Sequence, residues 1–446
     1  MPTRPTISWS DLARSTVGLW GLGVEGSANL RRLRADGIVP TLVDDWPAAP
    51  AVDGLPVLAT TQGGLEALAR CEVVVKTPGI SRYRAEVTAL EASGVPVVGG
   101  LGLWLQEADR SRVVCITGTK GKSTTTAIVG HLLGGLGYRC LVAGNIGRLP
   151  YDPEVGTDYD FWAVETSSFQ ATDLAVSPPV VAVTALHPDH LDWHGDTETY
   201  YRDKLSACSQ PGAALTVANG DSAELRARAG ALSPEVRWVG AADSPEDTWP
   251  GVLGLAGAHN RRNALIARAC LVALGVAAAD DDRALAAAAA GFEPLDSRLC
   301  PIGVVDGVAF VDDSLSTNAL SVIAALDTYG TGPVALIVGG QDRGIDYAEL
   351  GTHLRGRAQP TLVVTLPANG PRIGAAIAAA GAGVTVSDRA DLEAAVATAF
   401  AWAVPRHATV LLSPGAPSFG QFTNYKARAD AFATAMRAQR GSRALN

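Results

Sequence analysis

The chain has 446 residues, 36 basic against 45 acidic side chains, a formal net charge of −9 and 47% hydrophobic residues. That is ample for several packed cores and places the chain among multidomain globular proteins. The acidic balance excludes the basic footprint with which proteins grip nucleic acid or an anionic membrane, so anionic ligands must be met by local loops.

The first residues, Met1-Pro-Thr-Arg-Pro-Thr-Ile-Ser8, lack the apolar core of a secretion signal. Gly, Pro or charge interrupts each apolar run before membrane-spanning length, so the expectation is a cytoplasmic protein with no membrane partner. Six cysteines without C-x-x-C spacing are expected as free, buried thiols. The alanine run at 283–290 is read as helix, from its propensity.

Residues 17–30 read as a short strand entering Gly21-x-Gly23-x-x-Gly26 and a helix, with an acid-ended strand at 41–45 some twenty residues on. That is a Rossmann-like opening, and a nicotinamide dehydrogenase is its obvious reading, with a ligand-free tight turn beside it. Strands at 73–75 and 97–98 and a helix at 101–107 complete a first α/β domain, and the polar stretch 108–112 is the expected boundary.

Next, the apolar run 113–117 breaks into Gly118-Thr-Lys-Gly121-Lys122-Ser-Thr124 and an Ala/Leu-rich helix. Gly118 and Gly121 let backbone N–H groups turn onto an anion, Lys122 adds a point charge, and Ser123 or Thr124 offers a hydroxyl to magnesium. The loop is shorter than the full Walker spacing, which would need glycine at Ile116, and a solvated glycine turn is the plain alternative. Lysine usage favours the phosphate loop. Only five lysines occur (76, 120, 122, 204 and 426), so arginine holds nearly every position that tolerates it, and two of the five sit in this loop.

A strand at 140–143 runs into Gly144-Asn145-Ile-Gly147, and another at 161–165 ends in Glu165, where a metal-binding acid is expected beside a phosphate loop. Strand 180–183 leads to His187, His190 and His194, three of seven histidines within eight residues. No second cluster completes a zinc cage, and the neighbouring acids suit magnesium better. Lys204 follows on a helix. Asn260 and Asn263 open another helix, suited to a purine edge or to simple capping. The last third alternates strand and helix, with strands at 309–313, 335–338, 361–365, 383–386 and 408–412. Three of them end in polar loops, at 313–318, 339–344 and 413–425, the edge where open α/β sheets bind ligands.

T-G-T-x-G-K-S-T, E-x-S-S-F-Q, D-H-L-D, Y-x-x-x-K, H-N-x-x-N, D-S-x-x-T-N and L-S-P-x-x-x-S-F-x-Q-F-x-N-Y occur in this order over nearly the whole chain. Together they resemble the Mur ligases of peptidoglycan precursor synthesis, in the branch that adds glutamate to UDP-N-acetylmuramoyl-L-alanine. The resemblance implies three α/β domains: a Rossmann-like UDP-substrate domain (1–110), a P-loop ATP domain (111–299) and a Rossmann-like glutamate domain (300–446). It implies an ATP-dependent carboxylate–amine ligase acting through an acyl phosphate, with ATP and magnesium at two sites.

Residue by residue, Gly118, Thr119, Lys120, Gly121, Lys122, Ser123 and Thr124 fall to ATP, as do Asn260, Arg298 and Asp313. Gly23, Val24, Glu25, Asp44, Asn145, Ser167 and Gln170 fall to the UDP-bearing substrate. Thr317, Arg343, Ser418 and Tyr425 fall to glutamate. Ser123 and Glu165 are implied as ligands of one magnesium, and His190 with a carbamylated Lys204 as binding or orienting the second. Lys122, His190 and Lys204 are the implied catalytic residues.

Leu315 and Ser316 stand where the family motif D-S-K-A-T-N has a cation and alanine. This departure points to L-glutamate as acceptor and to a separate epimerase acting on the product, with D-glutamate as the alternative. A regulatory nucleotide-binding module would be hinted at by loss of Glu165, His190 or Lys204, and all three are present.

Overall fold

A computed structural model describes residues 4–243 and 248–440. Three six-stranded sheets form the frame. The first runs, across the sheet, Ala51–Val52, Leu55–Ala59, Thr41–Asp44, Val17–Trp20, Val73–Lys76 and Val97–Gly99. It is parallel except for the edge pair at 51–52 and 55–56. The second, all parallel, runs Glu235–Val239, Leu215–Asn219, Val180–Val183, Val113–Thr117, Phe161–Glu165 and Cys140–Gly144. The third runs Cys300–Val305, Val308–Asp312, Thr409–Leu412, Val334–Val338, Thr361–Thr365 and Thr385–Asp388, with one antiparallel pair at its 300–312 edge.

The central strands are buried on both faces, which is why they read as unbroken apolar runs: Val113–Thr117 and Val334–Val338 contain no exposed position. Residues 1–254 and 260–292 form one compact unit that contains the first two sheets, and residues 255–259 and 293–446 form another around the third. The polar stretch at 108–112 supplies a turn of 3-10 helix, Arg110–Arg112, between the first two sheets.

The cysteines within the described residues are free thiols; Cys71, Cys115, Cys208 and Cys270 are buried, and burial pushes the Cys115 thiol up to about 12. The alanine run lies largely in the helix Asp282–Ala289, and its small side chains bring it against the helix Lys122–Gly135. A Cβ on Gly135 would sit 2.6 Å from the Ala288 backbone. Strands Leu55–Ala59, Leu215–Asn219 and Glu235–Val239 had no counterpart in the sequence reading. Glu235–Val239 is an edge strand that alternates between exposed and half-buried positions, and Leu55–Ala59 has a single buried residue, so both leave short, weak patterns.

Candidate active site

The strand Val113–Thr117 ends in the centre of the second sheet, and the chain turns through Gly118 (φ +131°) and Gly121 (φ +88°) into the helix that starts at Lys122. Both glycines are required sterically as well as by φ. A Cβ on Gly118 would lie 2.3 Å from Thr184 Oγ1, and one on Gly121 would lie 2.7 Å from Asn263 Oδ1. The loop is pinned from the neighbouring strand: Thr184 Oγ1 donates to Lys120 O at 2.6 Å, and Thr119 N donates to Ala185 O at 2.7 Å. Thr119 Oγ1 accepts from His187 N and shares a hydrogen bond with Tyr200 Oη. Lys122 Nζ folds back on Thr119 O at 3.2 Å.

Lys204 comes from the helix Thr197–Leu205 and is buried, its Nζ donating to Gly118 O at 3.1 Å. Burial, with Lys122 close by, holds its pKa well below the ordinary lysine value, so the neutral amine is the accessible form. Asp189 lies 3.7 Å from Lys120, and against the raising effect of its burial the lysine holds its pKa down. His190 caps the short helix Leu191–His194 with a left-handed backbone (φ +52°), and burial lowers its pKa although Asp189 opposes this.

Glu165 ends the strand beside Val113–Thr117. Its Oε1 accepts from Asn145 Nδ2 at 2.9 Å, while Oε2 is buried with no partner. A buried carboxylate oxygen left unpaired next to a phosphate loop fits a hard cation. Among the described residues no three His, Cys, Asp or Glu side chains converge into a metal cage. One carboxylate and one hydroxyl, Glu165 and Ser123, suit magnesium, which keeps waters and substrate oxygens in its shell.

On the first sheet, Gly21 takes φ +94°, and a Cβ on Gly26 would lie 2.0 Å from Gly21 O, so the third glycine of that loop lets helix and turn approach. Asp44 is occupied with backbone: its Oδ2 accepts from Leu22 N at 2.7 Å and Oδ1 from Trp46 N at 2.8 Å. Gly23 and Val24 are exposed at the helix start. Glu25 reaches the second sheet's territory, its Oε1 accepting from Gln170 Nε2 at 2.7 Å, and burial raises its pKa to about 7. Ser167 and Gln170 form a reciprocal capping box on the helix Ser168–Ala171. Ser167, Gln170 and Glu25 are thus linked in one hydrogen-bonded chain, while Asn145 is held separately by Glu165. Thr124 is buried, and Asn263 Nδ2 donates to Asn260 Oδ1 at 3.3 Å.

In the second unit the strands Val308–Asp312, Thr409–Leu412 and Val334–Val338 are adjacent, so the three polar loops share one edge. They are stitched together: Ser413 Oγ donates to Asp313 Oδ2 at 2.7 Å, Gly339 N to Pro414 O at 2.8 Å, and Gln341 N to Pro417 O at 2.9 Å. Burial raises the Asp313 carboxyl to about 7, with the Arg298 cation opposing. Ser418 is buried, Arg343 is exposed, and Thr317 and Tyr425 are half-buried at this edge. Ser316 Oγ is buried without a partner.

Two features escaped the sequence reading. Lys76, fully buried, donates to Asp173 Oδ2 at 2.7 Å, with Arg82 Nε on Oδ1 of the same carboxylate at 2.7 Å. The rarity of lysine was the available signal for Lys76. His194 makes two buried hydrogen bonds, and only its place in the histidine cluster marked it.

Residues 116–252 match the Mur ligase middle domain, and residues 297–415 match the Mur ligase glutamate ligase domain. A protein of Xanthomonas euvesicatoria named UDP-N-acetylmuramoyl-L-alanine–L-glutamate ligase is 39% identical over 95% of both chains. A Micromonospora protein of the same name is 40% identical over 96% of this chain and 98% of its own. Among solved structures, the UDP-N-acetylmuramate–alanine ligase of Thermotoga maritima superposes with a TM-score of 0.54 at 16% identity, covering 96% of this chain and 100% of that one. A pseudomurein peptide ligase of Methanothermus fervidus gives 0.58 at 13% identity, with the same coverage, and these two likenesses speak to fold alone. With the full-length relatives at this identity, a phosphate loop ringed by lysines and a third sheet bearing the glutamate-ligase match, the chain belongs to the Mur ligase family of ATP-dependent ligases.

Proposed function

We propose that the chain joins L-glutamate to the alanine carboxylate of UDP-N-acetylmuramoyl-L-alanine, converting ATP to ADP and phosphate in peptidoglycan precursor synthesis. The observation that carries this reading is the lysine-ringed phosphate loop with a buried, unpaired Glu165 oxygen at the end of the adjoining strand. A carboxylate must have one oxygen made into a leaving group before an amine can displace it. Transfer of the ATP γ-phosphoryl to that oxygen gives an acyl phosphate. The glutamate amine then attacks the carbonyl carbon, the C–O bond to phosphate breaks, and the amine proton passes to solvent.

In this reading residues 1–110 hold the UDP end, 111–299 hold ATP and 300–446 hold glutamate. Gly118–Ser123 amides and Lys122 gather the phosphates, with Thr124 behind them and Asn260, Arg298 and Asp313 on the nucleotide. Ser123 and Glu165 would hold one magnesium, and His190 and Lys204 serve the second. Bound magnesium supplies charge neutralisation on the transferring phosphoryl group. The neutral amine of Lys204 can add carbon dioxide, which would turn a buried amine into a carbamate that offers oxygen donors. Gly23, Val24, Glu25, Asp44, Asn145, Ser167 and Gln170 serve the UDP substrate, and Thr317, Arg343, Ser418 and Tyr425 the amino acid.

L-Glutamate is favoured by Leu315 at the motif's cationic position and by the relatives that match over nearly their whole length, which are named as L-glutamate ligases. A product carrying L-glutamate calls for an epimerase downstream, and the substrates place the reaction in the cytoplasm. No described helix is long and apolar enough to cross a membrane. Product mass and ADP release with each pure glutamate isomer test the reading: preference for D-glutamate by kcat/KM overturns the isomer, and no ADP with either overturns the substrate assignment.

A further inference from the structure

Tyr83 stands in the loop between the strand Val73–Lys76 and the helix Ala85–Ala92 of the first sheet. Its hydroxyl donates to the Asp203 carboxylate, 2.8 and 2.7 Å from the two oxygens. Asp203 is fully buried and lies 2.7 Å from His194 Nδ1, and His194 Nε2 lies 2.9 Å from Ser168 Oγ. The tautomer that satisfies every atom has Nδ1–H donating to the carboxylate and Nε2 accepting from the serine. Ser168, His194 and Asp203 have the connectivity of a hydrolase triad. With Ser168 at 2% exposure and His194 at 4%, however, the hydroxyl has no path to a substrate, and a nucleophile needs one.

Each member instead adjoins a residue of the proposed reaction. Asp203 precedes Lys204, Ser168 follows the Ser167 cap, and His194 closes the helix that His190 opens. The same loop adds a second grip: Ser81 Oγ donates to Trp193 O at 3.2 Å, and Tyr83 meets the Trp193 ring edge-on at 5.9 Å. Trp193 in turn stacks on Phe169 at 4.5 Å. Loop 81–83 therefore holds both the helix carrying Lys204 and the segment carrying His190.

We propose that Ser168, His194, Asp203 and Tyr83 form a positioning relay for the ligation. It sets Lys204 against the phosphate loop and holds the helix that Ser167 caps, and Tyr83 is the link through which the first sheet bears on that geometry. None of the four touches a substrate. The inference rests on the role given above to Lys204.

The test uses Tyr83→Phe and Ser168→Ala, which remove one hydroxyl from each end of the relay, and the double variant. Tyr83 is half exposed, so its variant is expected to fold, with a melting temperature like that of the parent. Each single variant is expected to lower kcat by about 10-fold with each substrate KM changed less than about 2-fold, and the double variant to fall no further than the worse single. Losses that multiply in the double variant, or a raised KM at unchanged kcat, overturn the relay. A second readout needs no turnover: in 13C NMR of protein equilibrated with 13C-bicarbonate, the Lys204 carbamate signal of the parent should diminish in Tyr83→Phe. A parent without that signal, alongside the expected kinetic pattern, removes the carbamate and leaves the relay. A signal and kcat unchanged in both single variants remove the relay and leave the carbamate.

Discussion

At residues 21–26 and again at 118–122 a buried strand breaks into a glycine loop and re-enters as a helix, with positive φ at Gly21, Gly118 and Gly121. Each turn opens on a positive-φ glycine, but the first enters its helix through an extended N-cap, Gly23, and the second through a left-handed one, Gly121; both present helix N–H groups to whatever lies before the helix. Their surroundings differ in charge. The second loop carries Lys120 and Lys122 and receives Lys204 on its Gly118 carbonyl. The first has no lysine of its own and opens its helix with Glu25, whose carboxyl titrates near neutrality and shares a hydrogen bond with Gln170. A glycine loop thus prepares a place for an anion, while the side chains around it decide how much charge that place can hold. A triphosphate suits the second loop. At the first, a carboxyl that can carry a proton can donate toward an anion instead of repelling it.

The sharpest way to break the contrast is Lys122→Ala. Losing the point charge on the transferring phosphoryl group is expected to lower kcat by about 10³-fold with the melting temperature unchanged, measured by ADP release. Lys204→Ala is expected to cost about 10²-fold and to recover partly with added short carboxylates, which would supply the missing oxygens. Lys204→Arg should show no recovery, and full activity in that variant would rule out a carbamate.

At the first loop the expected loss is in stability. Gly26→Ala pushes a methyl group to within 2.0 Å of a backbone oxygen and should destabilise by about 2–3 kcal/mol in denaturant titration. Glu25→Gln is the mildest. A carboxyl whose folded pKa lies above its unfolded value near 4.5 stabilises the fold fully below that value and loses this contribution as pH rises through about 7. The parent's stability should therefore fall between those pH values by on the order of 1 kcal/mol, discounted for partial exposure, and the glutamine variant should flatten the curve.

These loops also mark what could be read in advance. Strand, turn and helix at 113–135 were legible because apolar run, glycine spacing and lysine rarity coincide there. The central strands of all three sheets were legible for the same reason, being buried on both faces. Edge strands such as Glu235–Val239 were not, since a strand covered on one side over five residues leaves little pattern.

Site residues on loops followed from motifs, but their pairings did not. Nothing in the sequence said that Asn145 would hold Glu165, that Asp44 would be absorbed by backbone amides, or that Tyr83 would cross to Asp203, 120 positions away. The first two depend on which strands lie side by side in a sheet and the third on how two sheets of one unit meet, and no local pattern encodes either.

The left-handed backbone of His190 carries one more consequence. Holding a side chain other than glycine in that conformation costs roughly 1 kcal/mol, so glycine would be the more comfortable occupant of this N-cap. Selection for thermal stability alone should drift away from histidine here, and selection for turnover should restore it. A library randomised at this one codon, sorted separately for melting temperature and for ligation, would give two different winners.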